Sequence, residues 1–295
     1  MLFTGFGCSV DDAQQLGDAL ETIAEAGFTH AEIRPRDSEL WLNGDLNRRE
    51  LGRYVTVLAR FGDRLSYTLH GPYELNLFDG DGRHRRLLGA AVEFARAIGA
   101  SAVVVHPGRM EKHLFGGASM DELMARERRA LLEIAEQENV WNGSLALETW
   151  FAVDGVACSY AIWPAQLARQ VERIAHERIG VCLDIGHLQL AASWFGFDFG
   201  EGVRRLAPLA AHVHLHENFG VLTGVAQIEL GHGDLHVPPG WGSLALREAL
   251  EGASFARVPV LNVEVAARLA RPHLKSILLD CNRLAALGRI EDVRR

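Results

Sequence analysis

Imidazoles and carboxylates recur at one kind of place in this chain, the last residue or two of short apolar segments. His70 closes Leu65–His70, His106 closes Ala102–His106, and Glu148 closes Ser144–Glu148. Asp184 closes Val181–Asp184, with His187 three residues later. Ala211–His216 carries His212, His214 and His216 and is followed by Glu217, and Val258–Val263 runs into Glu264. Asp234 and His236 stand in the connection after His216. Imidazole and carboxylate together make a donor set for Zn²⁺, Mn²⁺, Co²⁺ or Fe²⁺. An ionised carboxylate at the end of an apolar strand is costly to bury unless a cation meets it. Glu148, Asp184 and Glu264 therefore call for one, and a divalent metal supplies it. A single histidine at a strand end is ordinarily a hydrogen-bonded residue, and His30, His84, His113, His176 and His273 are read that way. Six successive strand ends carrying such groups are not explained so simply.

The elements that must bring these groups together are short strands alternating with longer helical patterns. To the segments above the sequence adds strands at Leu2–Gly7 and His30–Arg34. Near-continuous apolar runs such as Ala102–Val105 are what parallel strands covered on both faces look like. Amphipathic stretches lie between them. Asp11–Ala26 is stopped by Gly27 and Leu87–Ile98 by Gly99, in the position after the helix that glycine favours. Met120–Glu138, Trp163–Ala175 and Arg271–Leu287 follow, with Pro164 in a first helical turn. About eight strand–helix repeats over a chain of this length fit a (β/α)8 TIM barrel. An open doubly wound sheet is the competitor, but no Gly-x-Gly-x-x-Gly follows the first strand. No linker or change of composition divides the chain, so residues 1–295 are expected to form a single domain. Strand ends of a barrel converge on one mouth. Alternation on the seventh strand points His212, His214 and His216 inward at different depths. They cannot all bind one ion, and spacing does not choose among them.

The 295 residues are 48% hydrophobic and 23% charged, ordinary for a globular enzyme. A net charge of -8 argues against non-specific attraction to nucleic acid or anionic membrane. Four scattered cysteines, Cys8, Cys158, Cys182 and Cys281, form no Cys-x-x-Cys pair and read as reduced thiols. The first ten residues lack a signal-peptide pattern, and no apolar run approaches the ~20 residues that span a bilayer. The expected location is the cytoplasm.

Several motifs occur in a telling order: His70-Gly71-Pro72-Tyr73 with Asn76-Leu77, Val105-His106-Pro107-Gly108, Leu147-Glu148-Thr149, Leu183-Asp184-Ile185-Gly186-His187, His214-Leu215-His216-Glu217-Asn218, Asp234-Leu235-His236 running on to Pro239-Gly240-Trp241-Gly242, and Val263-Glu264. Together they resemble the xylose-isomerase-like TIM-barrel superfamily, which holds sugar and sugar-phosphate isomerases and epimerases as well as endonuclease IV. The likeness spans nearly the whole chain. An epimerase-type site would use Glu148, Asp184, His214 and Glu264 around one metal, with His187 in contact with substrate. Endonuclease IV uses three zinc ions, whose ligands would fall on His70, His106, Glu148, Asp184, His187, His214, Asp234, His236 and Glu264. Every one of those positions carries the matching residue type. The chain departs from endonuclease IV at Thr149-Trp150, at His216-Glu217, and at Gly231-His232-Gly233, where a basic DNA-gripping stretch would stand.

Two chemistries stay open. In one, Mn²⁺, Co²⁺ or Zn²⁺ assists isomerisation or epimerisation of a small sugar, sugar phosphate or related polyol ketone. Glu148 and Glu264 then remove and return the proton beside the carbonyl, and His187 holds a substrate oxygen. A dehydratase would share that proton abstraction. In the other, up to three Zn²⁺ cleave a phosphodiester in abasic-site DNA, with Arg34, Arg36 and Trp41 as a small grip or simply an exposed loop. A non-catalytic sugar- or metal-binding barrel is the third reading. Tyr73, Trp150 and His216 are expected to meet substrate, among aromatic walls drawn from Phe151, Trp194, Phe195 and Trp241. Arg109 either meets a substrate phosphate or carboxylate or serves at the surface. A homodimer is the expected assembly if the chain is not a monomer.

Overall fold

Eight parallel strands close on themselves: β1 Gly5–Val10, β2 His30–Ile33, β3 Ser66–His70, β4 Ala102–Val105, β5 Ser144–Glu148, β6 Ile179–Asp184, β7 Ala210–Leu215 and β8 Val260–Val263. Each pairs with its neighbours in sequence, and β8 returns to β1 through Gly5 opposite Val260. The computed structural model describes residues 2–11, 15–36, 39–111, 118–137, 141–152, 157–257 and 259–287. Around the strands lie α1 Leu16–Ala26, α2 Arg48–Leu58, α3 Gly82–Ile98, α4 Met120–Glu136, α5 Pro164–Ile174, α6 Ile185–Phe195, α7 Phe199–Leu206, α8 Leu246–Glu251 and α9 Leu274–Leu287. This is the expected (β/α)8 barrel. Among the described residues, no helix is long and apolar enough to cross a membrane.

The main core lies between strands and helices, where outward side chains such as Val103, Leu147 and Leu183 meet Leu88, Leu131 and Leu167. A separate small cluster of Val104, Ala146 and Cys182 fills part of the barrel interior. Each of these stands two residues before a chemical group on the same run, His106, Glu148 or Asp184. Strand alternation therefore stacks an apolar layer directly beneath the polar one.

Several boundaries differ from the sequence reading for identifiable reasons. β1 runs Gly5–Val10 rather than Leu2–Gly7, because its ladders to β8 and β2 begin at Gly5 and Gly7 whatever the apolarity of Leu2 and Phe3. α3 starts at Gly82, ahead of Leu87, because the Asp81 side chain accepts from the Arg83 N–H at 2.9 Å and caps the helix there. α2, α6, α7 and α8 were not singled out. α6 is buried along most of its length and shows little amphipathic contrast, and α7 and α8 are short. Residues 12–14 of Asp11–Ala26, the end of Met120–Glu138, Val258 and His113 lie outside the described residues.

Candidate metal centre

The strand ends converge as alternation requires. One ligand atom from each of Glu148, Asp184, His214 and Glu264 falls within 4.8 Å of the others. His214 sits among the three carboxylates. Its Nδ1 is 2.8 Å from Glu148 Oε1, 2.8 Å from Glu264 Oε2 and 3.5 Å from Asp184 Oδ2. Depth thus separates the three histidines of β7. His212 lies below, bonded to Glu32. His216 lies above, with Nε2 3.1 Å from Asp184 Oδ1. Two further groups flank the first, one of His70, His106 and Glu148 and one of His187, His216, Asp234 and His236.

Local structure explains the motifs. Asp184 caps α6, its Oδ1 accepting from the His187 N–H at 2.7 Å. The three-residue spacing of Asp184 and His187 is the spacing of that cap, and it leaves Asp184 Oδ2 free to face the centre. Gly186 between them has no alternative, because a Cβ there would stand 2.1 Å from the His216 ring. At Gly71 a Cβ would meet the Val104 carbonyl at 2.6 Å. His236 has φ 48°, in the left-handed region. A residue other than glycine there stores strain of a kind that clusters at functional sites.

Backbone carbonyls orient three of the rings. His70 Nδ1 donates to Gly71 O at 2.9 Å, His187 Nδ1 to Thr149 O at 3.1 Å, and His236 Nδ1 to Glu264 O at 2.5 Å. Each is left with Nε2 turned to a carboxylate: Glu148 at 4.0 Å from His70, and Asp234 at 3.4 Å from His187 and 2.8 Å from His236.

The carboxylates of the first group are held charged in spite of their burial. Burial alone would raise the Glu148 carboxyl, but the imidazoles of His106 and His214 beside it overcome that and hold its pKa well below 4.5. Glu264 is likewise held low against burial, by Arg34 and His214, and Arg34 Nη1 lies 2.5 Å from Glu264 Oε1. Asp184 is lowered by His187 and His216 despite its burial. Burial and the neighbouring His106 pull His70 down to about 4, so it is a neutral donor at ordinary pH. Glu148 Oε2, Asp184 Oδ2, Asp234 Oδ1, Glu264 Oε2 and His216 Nε2 are buried without a hydrogen-bond partner. Buried polar atoms are almost always paired. Lone-pair atoms left over on converging carboxylates and imidazoles are a donor set that fits a divalent cation.

Of the residues expected to meet substrate, Tyr73 and Trp150 do reach the site wall. Tyr73 stacks on His70 at 4.5 Å with Arg36 4.0 Å over its ring, and Trp150 stands against His106 at 4.6 Å. Phe151 touches His187 at 4.7 Å. A cavity of about 520 Å³ is lined by Arg34, Arg36, Asp234, His236 and Glu264. The others are placed differently. Arg109 donates to the carbonyls of Leu75 and Tyr73 at 3.1 and 3.2 Å, bracing the loop after β3 instead of turning to a ligand. His216 is fully buried and stacks on His236 at 3.9 Å, inside the metal-binding group rather than on the pocket wall. Trp194 is well exposed, Phe195 packs on Trp163, and Trp241 packs on His273. Glu217 accepts from Gly240 and Gly242 N–H at 3.0 and 2.8 Å and fixes the loop after β7. Glu32 was missed altogether. The sign in the sequence was a charged residue between apolar Ala31 and Ile33 on a short strand.

Comparison with known proteins agrees with this architecture. Residues 20–272 match the family described as xylose isomerase-like TIM barrel. Among solved structures, a D-tagatose 3-epimerase-like protein superposes with a TM-score of 0.69 at 24% identity, covering 95% of this chain and 99% of that one. An L-ribulose 3-epimerase gives 0.64 at 16% identity over 97% and 98%. The IolI protein, solved with a zinc atom bound, gives 0.65 at 15% over 96% of each chain. At these identities the likeness is one of fold. No curated protein matches by sequence. A closed eight-stranded barrel and a family match across most of its length leave one assignment: the chain belongs to the xylose isomerase-like TIM-barrel family.

Proposed function

We propose that this protein is a divalent-metal-dependent isomerase or epimerase acting on a small ketose or related polyol ketone. Glu148, Asp184, His214 and Glu264 would hold the ion, which is Mn²⁺, Co²⁺ or Zn²⁺ by donor type. When bound, a divalent ion polarises a substrate carbonyl and steadies the charge that develops on its oxygen. The observation that carries the reading is the placement of Glu148 and Glu264, from β5 and β8, on either side of His214 at 2.8 Å each. One carboxylate takes the proton from the carbon beside the carbonyl, and the electron pair moves toward the carbonyl oxygen to give an enediolate. The other, having taken up a proton from solvent, delivers it to the opposite face, which inverts that carbon; return of the abstracted proton to the neighbouring carbon isomerises instead. His187, oriented by Thr149, is within reach to hold a substrate oxygen, while Tyr73, Trp150 and Phe151 keep water from the exposed carbanion. The names of the structural neighbours, several of them ketose 3-epimerases, support the same substrate class.

A second reading draws on one specific observation. The flanking groups His70–His106–Glu148 and His187–Asp234–His236 complete a nine-residue set suited to three Zn²⁺ and phosphoester hydrolysis. Metal analysis of freshly purified protein and paired assays separate the two. Near one ion per chain and Mn²⁺- or Co²⁺-dependent conversion across a panel of ketopentoses and ketohexoses support the first. Nearly three zinc ions and chelator-sensitive nicking of an abasic-site duplex, with inertness toward every ketose, replace it with the second.

A further inference from the structure

Three of the rings at the centre are set by backbone carbonyls; His214 is set by a side chain. Its Nε2 lies 2.9 Å from Glu32 Oε2, and the same oxygen lies 2.9 Å from His212 Nε2. Glu32 Oε1 accepts from Asn262 Nδ2 at 3.1 Å and from Ser9 Oγ at 3.3 Å. This carboxylate, fully buried on β2, is therefore fixed by groups from β1, β7 and β8. The layer beneath the metal-binding groups is divided accordingly. Val104, Ala146 and Cys182 fill one side with small apolar side chains, and Ser9, Glu32, His212 and Asn262 make a polar pedestal on the other.

The chemistry of an imidazole turns this contact into an instruction. A carboxylate only accepts, so the Nε2 of His214 must carry the proton that meets Glu32. Nδ1 is the atom facing Glu148, Glu264 and Asp184, 2.8 Å from Glu148 Oε1, and it is the nitrogen that would give up its proton to take a cation while Nε2 keeps its own. The pattern is the inverse of His70, His187 and His236, which donate from Nδ1 and present Nε2.

We propose that Glu32 is the positioning residue of the metal centre: it accepts the Nε2–H of His214 and so fixes that ring's tautomer and plane, presenting Nδ1 to a divalent cation held with Glu148, Asp184 and Glu264. The inference rests on reading this cluster as a metal centre and is independent of which reaction the centre performs. Glu32 touches neither ion nor substrate and acts through His214. Carboxylates in this role change metal affinity by about 10–100-fold when removed.

The test uses the full chain, stripped by chelator and titrated with Co²⁺. Glu32→Gln keeps the shape but offers the two histidines an uncharged acceptor. It is expected to bind Co²⁺ about 10–100-fold more weakly than the unaltered protein, with a changed visible absorption band, and Glu32→Asp is expected to recover part of the loss. Unaltered affinity and spectrum in Glu32→Gln overturn the proposal, as does a loss confined to the stability of the metal-free protein. Should Glu32→Gln fail to fold, the unaltered protein decides, by NMR of ¹⁵N-histidine-labelled, Zn²⁺-loaded samples. A His214 ring protonated at Nε2, with Nδ1 shifted by metal, supports the proposal, and metal on Nε2 overturns it. Weakened Co²⁺ binding in Glu32→Gln alongside inertness toward all ketoses would sink the proposed reaction and leave this inference standing. An unaltered protein that binds no Co²⁺ would sink both.

Discussion

Glu148 and Glu127 are both buried carboxylates, 1% and 0% exposed, and they have been made into different things. Glu127, on α4, is met only by neutral donors: Gly108 N–H at 2.6 Å, the Tyr160 hydroxyl at 2.5 Å and the Gln170 amide at 2.9 Å. Burial outweighs these bonds and pushes its pKa up. Glu148 is met by imidazoles, sits well below the usual carboxylate range, and keeps Oε2 without a hydrogen bond. The first is a brace that ties α4 to the loop following His106. The second is a group kept charged and incompletely paired, which costs stability unless an ion arrives. Burial alone does not mark a functional carboxylate. An unpaired oxygen among cationic neighbours does.

The comparison is broken most decisively at Glu148. Glu148→Gln should lower ketose turnover by about 10²–10⁴-fold, the range for a general acid–base group, and release the metal, read by steady-state kinetics and metal analysis; a variant that keeps both would place Glu148 beside Glu127 as a brace. Removing the ion is next. If the orphaned oxygens wait for metal, saturating Mn²⁺ or Co²⁺ at about a thousand times Kd should stabilise the chelated protein by about 4 kcal/mol, seen as a raised Tm, and a flat response would deny the centre its cation. At Glu127 the sign of the trade reverses. Glu127→Ala strands a backbone N–H, a hydroxyl and an amide, at about 1–3 kcal/mol for each left unsatisfied, so denaturation should reveal a large loss of stability with metal content unchanged.

The smallest effect is in pH. The folded-state pKa of Glu127 lies above the usual 4.5, so protonation favours the fold. The stability of the unaltered protein relative to Glu127→Gln should be greatest below about pH 4.5 and decline as pH rises through the raised value. Urea titrations of both proteins across that range check it. A difference that grows with pH would mean that Glu127 is stabilised as an anion, as Glu148 is.

Much of the site was legible in order along the chain. Strand ends announce themselves through apolar runs followed by His or an acid, and those residues, with Asp234 and His236 from the loop after β7, assemble in three adjoining groups of ten residues. Chemical type does not by itself give reach. Arg109 carries the right charge to meet a substrate phosphate or carboxylate, yet the carbonyls of Leu75 and Tyr73 engage it. Glu127 was invisible because a single glutamate on an amphipathic helix looks like any solvated one.

The sequence by itself determined the barrel, the inward face of each strand and the set of groups crowding its mouth, because period-two alternation and apolar runs are local properties. Alternation along β7 could not choose which of His212, His214 and His216 meets the three carboxylates, a choice the family resemblance implied and the tertiary structure makes, and only the tertiary structure shows that Glu32 stands behind it. Depth inside a barrel follows from how eight tilted strands are staggered against one another. That stagger is a property of the closed ring, and no one strand encodes it.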